Sequence, residues 1–109
     1  MPNNNQISAV ALREKIERGD SFILMDVREP WEYQMAHIPN SVLMPLGELT
    51  HRLPTLNPDA EIITLCHHGI RSMTALAILA GNGFLNVKNM SGGIDAYSQI
   101  ADPTIPRYR

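Results

Sequence analysis

Cys66 is the only cysteine in 109 residues, and the chain continues from it as His67-His68-Gly69-Ile70-Arg71-Ser72. A thiol acts as a nucleophile through its thiolate, which forms where neighbouring groups favour negative charge. This segment lies between a strand-like run and a helical one, so its backbone N–H groups can curl around the sulfur. The positive end of the following helix then faces the same point. Arg71 adds a fixed cation, and His67 and His68 favour the thiolate when protonated. Gly69 suits a loop that needs a positive φ or a close backbone approach, and Ser72 is placed to cap the helix. The plain alternative makes Cys66 a small buried hydrophobe at a strand end, the common fate of a free cysteine. Two histidines, a glycine and an arginine packed into positions 67–71 favour the reactive thiol.

Other polar residues carry less. His37 precedes Ile38-Pro39 in a turn and is expected to make a backbone hydrogen bond. His37, His51, His67 and His68 lack the clustered spacing and companion thiols of a structural zinc site, so no metal is called for. Trp31, Tyr33 and the scattered methionines read as core or pocket wall.

The elements that must hold Cys66 follow from apolar patterning and from Gly and Pro punctuation. Ser8 caps a helix over Ala9 to Arg18, closed by Gly19. Phe22 to Met25 is a continuous apolar run ending at Asp26, as in a strand covered on both faces. Glu29 to Tyr33 reads as a helical turn with Pro30 at its first position. A turn at His37 to Asn40 leads to a short strand at Ser41 to Met44, then a helical segment over Pro45 to Leu53 and a loop over Pro54 to Pro58. Glu61 to Leu65 is the clearest strand and delivers Cys66 at its carboxyl end. Met73 to Ala80 is an apolar helix stopped by Gly81-Asn82-Gly83, Val87 to Met90 a last strand, Gly92-Gly93 a turn and Ile94 to Ile100 a final helix. Residues 102–109 read as an extended tail. Alternating strands and helices mean an α/β fold with parallel pairing, whose ligands bind beyond the carboxyl ends of the strands. Asp26 and Cys66 both fall there.

Composition narrows the classes. A mass of 12.2 kDa fits one domain over residues 1–109, large enough for a core without disulfides or metal. A formal net charge of -2 gives no basic face for nucleic acid. The start, Met1-Pro2-Asn3-Asn4-Asn5-Gln6, lacks the basic and apolar regions of a secretory signal, and no apolar run is long enough to span a bilayer. The expected location is the cytoplasm, a reducing compartment that suits a lone thiol.

Three stretches together resemble the rhodanese family, over nearly the whole chain, and most closely its stand-alone single-domain sulfurtransferases. They are Asp26-Val27-Arg28-Glu29-Pro30-Trp31-Glu32-Tyr33 followed by His37-Ile38-Pro39, the loop with its Cys-x-x-Gly-x-Arg spacing, and Met90-Ser91-Gly92-Gly93. Ala36 and Asn40 stand where the family usually has glycine, Met44 where Asn is common and Ile94 where Trp is common. The resemblance implies a three-layer domain with a five-stranded parallel sheet flanked by helices.

It also implies a sulfurtransferase. The Cys66 thiolate takes sulfane sulfur from a small-molecule donor such as thiosulfate, carries it as a persulfide and passes it to cyanide or a protein thiol. Cys66 and Arg71 would be catalytic, with Arg71 orienting an anionic donor or stabilising the sulfite leaving group. His67, His68, Gly69, Ile70 and Ser72 would form the persulfide-binding loop. Asp26 and Arg28 would support it from behind, Arg28 either pairing with an acid or steering anions. Their bland reading is an ordinary ion pair. No cofactor is required, and a protein thiol acceptor or a cysteine desulfurase are the implied partners. Two alternatives stay open: a sulfur-carrier or docking module without small-molecule turnover, and a cysteine phosphatase or arsenate reductase. Phosphatase loops resemble this one but are longer by a residue, leaving room for a tetrahedral oxyanion.

Overall fold

Apolar runs without alternation need cover on both faces, and the architecture provides it. In the computed structural model, which describes residues 5–108, the strands are β1 (Gln6–Ile7), β2 (Ile23–Asp26), β3 (Val42–Leu43), β4 (Ile62–Leu65) and β5 (Val87–Met90). They form one parallel sheet in the order β1-β5-β4-β2-β3. The helices are α1 (Ala9–Glu17), α2 (Pro30–Met35), α3 (Leu49–Arg52), α4 (Ile70–Gly81) and α5 (Gly93–Ile100). On one face, Leu12 of α1 and Ile94 and Tyr97 of α5 share a core with Leu24, Ile63 and Leu65. On the other, Leu49 of α3 and Ala75 and Leu79 of α4 pack with Met25, Ile62 and Cys66. Neighbouring residues of β4 thus serve opposite layers, as the two-residue period of a strand requires.

Local signals act as expected at several points. The Ser8 hydroxyl accepts from the Ala11 N–H at 3.1 Å and starts α1. Pro30 opens α2, where the Glu29 N–H donates to Glu32 Oε1 at 3.0 Å. Asn40 adopts a φ of 69°, the left-handed geometry that its glycine-like place in the turn demands.

Other expectations are corrected. β1 completes the five strands that the resemblance implies, at a place the sequence does not mark because two residues carry no period; its register comes from β5, with Gln6 opposite Asn89. α4 begins at Ile70 rather than Met73, so Ser72 lies inside the helix and is not its cap. The segment after Pro45 breaks into 3-10 turns at Leu46–Glu48 and Leu53–Thr55 around the single turn of α3. Residues 102–108 do not simply extend. The chain turns at Asp102, where the Ile105 N–H bonds back to the Asp102 carbonyl, and folds against the body because burying Ile105 removes its side chain from water. Arg109, the end of that expected tail, and Met1 to Asn4 lie outside the described residues. None of the described helices is long and apolar enough to cross a membrane.

Candidate functional site

β4 runs directly into Cys66 beside the carboxyl end of β2, where Asp26 pairs with Leu65. The chain then turns within three residues into α4. Gly69, with φ 104°, occupies the helix N-cap, and its N–H donates to Cys66 Sγ at 3.0 Å. The Ser72 hydroxyl donates to the same sulfur at 3.3 Å. A backbone and a hydroxyl donor at the start of a helix thus converge on one atom, the arrangement of an anion-binding nest. Any side chain at position 69 would need that φ and would crowd the Gly92 nitrogen at 3.3 Å. Cys66 is 1% exposed.

The outside of the loop is fixed by α5. The Ile94 N–H donates to the Cys66 carbonyl at 2.8 Å and the Asp95 N–H to the His67 carbonyl at 3.1 Å. Because a trans peptide directs its C=O and N–H to opposite sides, these anchors turn the N–H groups of His67 and His68 away from α5. Gly93, with φ 66°, sits directly beneath; a Cβ there would overlap the carbonyl oxygens of Cys66 and His67. Asn89 donates to the Gly69 carbonyl at 3.4 Å and Thr64 to the Ser72 carbonyl at 3.0 Å, so β4 and β5 hold the turn from below.

Arg71 points from the first turn of α4 to Glu32 of α2, Nη1 to Oε1 at 2.6 Å and Nη2 to Oε2 at 2.8 Å. Hydrogen bonds from Arg71 are the main reason the Glu32 carboxyl is held down to about 2, against the burial that opposes ionisation. The arginine, paired in turn, is raised further above its ordinary value.

Asp26 and Arg28 are both fully buried. Arg28 Nε donates to Asp26 Oδ1 at 2.8 Å, Nη2 to Oδ2 at 2.7 Å and Nη2 to the Ala36 carbonyl at 2.7 Å. Arg28 is therefore the partner of an acid and does not steer anions from solution. This pair is tolerable in the interior because its donors and acceptors are satisfied.

His67 lies half-buried, stacked between His68 at 4.0 Å and Tyr108 at 4.2 Å. Burial, and after it the neighbouring His68, hold the His67 imidazole below its ordinary value. That favours the neutral imidazole near pH 7. His68 is exposed, with Nε2 3.7 Å from Asp95. His67, His68 and Asp95 bring possible ligand atoms within 4.8 Å of one another. The imidazoles are stacked at 18°, however, so their in-plane lone pairs do not converge, and Asp95 is engaged by Arg107 at 2.9 Å. That trio does not form a metal centre as arranged.

Ile70 opens α4 and is 80% exposed beside the loop. Trp31 is exposed and meets Tyr108 edge-on, so it borders the site's flank and is not core. Tyr33 donates to the Ser41 carbonyl at 2.7 Å, and His37 Nδ1 lies 2.8 Å from the Tyr33 carbonyl, the backbone contact expected of it. Two clefts of about 190 and 220 Å³ open between α1 and the turn at Pro39-Asn40, and none of their lining residues belongs to the Cys66 loop.

Sequence reasoning missed Glu32 and Tyr108 as parts of this site. Glu32 had a detectable role three residues after Glu29 in the start of α2, but its pairing with Arg71 joins distant positions. Tyr108 lies in a tail with no periodic signal.

Comparison with known proteins follows the same outline. The family model described as Rhodanese-like domain matches residues 8–100. The chain is 40% identical over 89 residues to the candidate sulfur carrier protein YrkF of Bacillus subtilis (strain 168), covering 82% of this chain and 48% of that protein. It is 37% identical over 98 residues to the candidate sulfurtransferase YtwF of the same organism, covering 90% of this chain and 94% of that one. It thus spans about half the length of the first and nearly all of the second. The crystal structure of a rhodanese-related protein from Thermoplasma volcanium superposes with a TM-score of 0.82 at 32% identity, covering 95% of this chain and 99% of that one.

Proposed function

The chain belongs to the rhodanese-like domain family, and on that premise we propose that it is a sulfurtransferase working through a persulfide on Cys66. The observation that carries this reading is the pair of donors, the Gly69 N–H and the Ser72 hydroxyl, closed on one sulfur atom at the start of a helix. In the proposed cycle the Cys66 thiolate attacks the outer sulfur of thiosulfate. The S–S bond of the donor breaks, its electron pair leaves with sulfite, and Cys66 holds a persulfide anion. An acceptor thiolate or cyanide then attacks the terminal sulfur, taking it away and returning the Cys66 thiolate. Loop donors stabilise the anion throughout, and Arg71, aimed by Glu32, orients the anionic donor and the departing sulfite. The cycle uses no cofactor, and a lone thiol that must stay reduced fits the cytoplasm.

Four residues separate Cys66 from Arg71, and the Gly69 N–H already closes on the sulfur at 3.0 Å, which suits one sulfur atom better than a tetrahedral oxyanion. A second reading is favoured by the near-complete burial of Cys66 together with the relative named as a candidate sulfur carrier: delivery to and from protein partners, such as a cysteine desulfurase and an acceptor thiol, without small-molecule turnover. Intact mass after incubation with thiosulfate tests both. Gain of one sulfur, removed by cyanide and absent in Cys66→Ser, supports the enzyme; loading by a cysteine desulfurase but not by thiosulfate supports the carrier. Sulfur transfer that survives Cys66→Ser rejects both.

A further inference from the structure

The family match ends at residue 100, yet the chain beyond it returns to the site. Three contacts pin this tail. Ile105 is buried, and its carbonyl accepts from the Ser98 hydroxyl. Arg107 Nε donates to Asp95 Oδ1 at 2.9 Å. Tyr108 then lays its ring on His67, with an angle of 11° between the planes. Its hydroxyl accepts from Arg28 Nη1 at 2.9 Å and donates to Glu32 Oε2 at 2.7 Å.

We propose that Tyr108 is a positioning residue of the sulfur site, holding the Glu32 carboxylate square to Arg71 from outside the family's own segment. The proposal rests on the sulfurtransferase reading of Cys66 and Arg71 and extends it. Glu32 is only 3% exposed, so each of its oxygens needs protein donors. Oε1 receives the Glu29 N–H at 3.0 Å and Arg71 Nη1 at 2.6 Å; Oε2 receives Arg71 Nη2 at 2.8 Å and the Tyr108 hydroxyl at 2.7 Å. A carboxylate held at both oxygens by two donors each cannot rotate without losing one. Removing the phenol oxygen leaves Oε2 with Arg71 alone, and leaves Arg28 Nη1 with only the Glu32 carbonyl at 3.4 Å.

The charged and titratable groups around Glu32 set the direction of the effect. They are Arg71 from α4, Arg28 with its partner Asp26 from the end of β2, His67 from the loop and Tyr108 from the tail. Burial first, with Glu32 adding to it, pushes the Tyr108 phenol up to about 12, so it remains a donor at working pH. Its removal takes a hydrogen bond from the ionised form of Glu32 and makes the carboxyl easier to protonate.

Tyr108→Phe keeps the ring on His67 and deletes only the hydroxyl. In that variant the Glu32 carboxyl, followed by carbon NMR, should titrate about half a unit or more above its value in the unaltered protein. KM for thiosulfate should rise about fivefold with kcat within about twofold, because Arg71 is less well aimed while the sulfur cradle is untouched. A variant that melts earlier, with the Glu32 midpoint and KM both unmoved, would give Tyr108 a packing role alone and overturn the proposal. If the unaltered protein shows no thiosulfate turnover, that result counts against the proposed function, and the Glu32 titration by itself decides for or against Tyr108.

Discussion

Arg71 and Glu32, 39 positions apart in the chain, meet through two parallel hydrogen bonds of 2.6 and 2.8 Å. The fork geometry fixes the guanidinium plane as well as its position. Arg71, in the first turn of α4, is therefore not an unpaired cation; its direction is set by α2 on the other side of the site.

That pair should show itself in acid. The Glu32 carboxyl is depressed to about 2 from an ordinary 4.5, so its contribution to stability is complete above about 4.5 and is lost as pH falls towards 2. The shift corresponds to roughly 2 to 3 kcal/mol, taken toward the low side because Arg71 is partly open to solvent. Urea unfolding at pH 7, 4 and 3 measures it. Glu32→Gln should lose about that amount at pH 7 and flatten the slope below pH 4.5; an unchanged slope in the variant would show that another group carries the acid sensitivity.

Ser72→Ala removes one of the two donors on Cys66 Sγ and leaves Gly69 in place. Persulfide formation from thiosulfate should slow by roughly tenfold, about 1.4 kcal/mol in the barrier. Stability should fall by only about 1 kcal/mol. Stopped-time intact-mass measurements read the first and thermal unfolding the second; full-speed loading in the variant would remove Ser72 from the cradle.

How much of this was legible depends on how local each signal is. Cys66, Gly69 and the strand before them announce themselves, because a β-branched run, a lone thiol and a glycine follow one another in the sequence. Asp26 and Arg28 could be placed near the strand ends, but whether Arg28 met an acid or solvent was decided by the tail and the Ala36 carbonyl that close over it. Ser72 was misread because the helix starts three residues earlier than apolar periodicity shows: Ile70, exposed, contributes nothing to the buried stripe. The surroundings of His67 were not legible because the ring stacked on it, Tyr108, comes from the far end of the chain, while burial and His68 lower its value.

Gly93→Ala tests the outer anchor of the loop. A methyl group there must push the Cys66 and His67 carbonyls off the first turn of α5, and it must also hold a φ of 66°. A stability loss of roughly 2 to 3 kcal/mol is expected, with sulfur loading reduced by more than the loss of folded protein explains. Loading that scales only with the folded fraction would mean that the anchor serves the fold and not the cradle.

Inserting one glycine between Gly69 and Ile70 lengthens the loop without replacing Cys66 or Arg71. The Gly69 N–H and the helix start then no longer meet at one sulfur, and persulfide formation should fall by more than about tenfold. The fold, checked by circular dichroism, should persist. Unchanged transfer would show that loop length does not select sulfur, and native hydrolysis of aryl phosphates without any sulfur transfer would replace the proposed function with a phosphatase.

In the proposed cycle the burial of Cys66 gives the unloaded and the loaded protein different faces. Cys66 shares a packed cluster with Val27, Ala75 and Leu76, and only 1% of the residue is exposed. A second sulfur lengthens the side chain by about 2 Å. In the proposed cycle that added atom extends away from the packed cluster, since the core has no room for it. The loaded site then presents the transferable sulfur ahead of the cysteine that carries it. On that reading an acceptor meets the transferable sulfur first in the loaded protein and a buried thiol in the unloaded one.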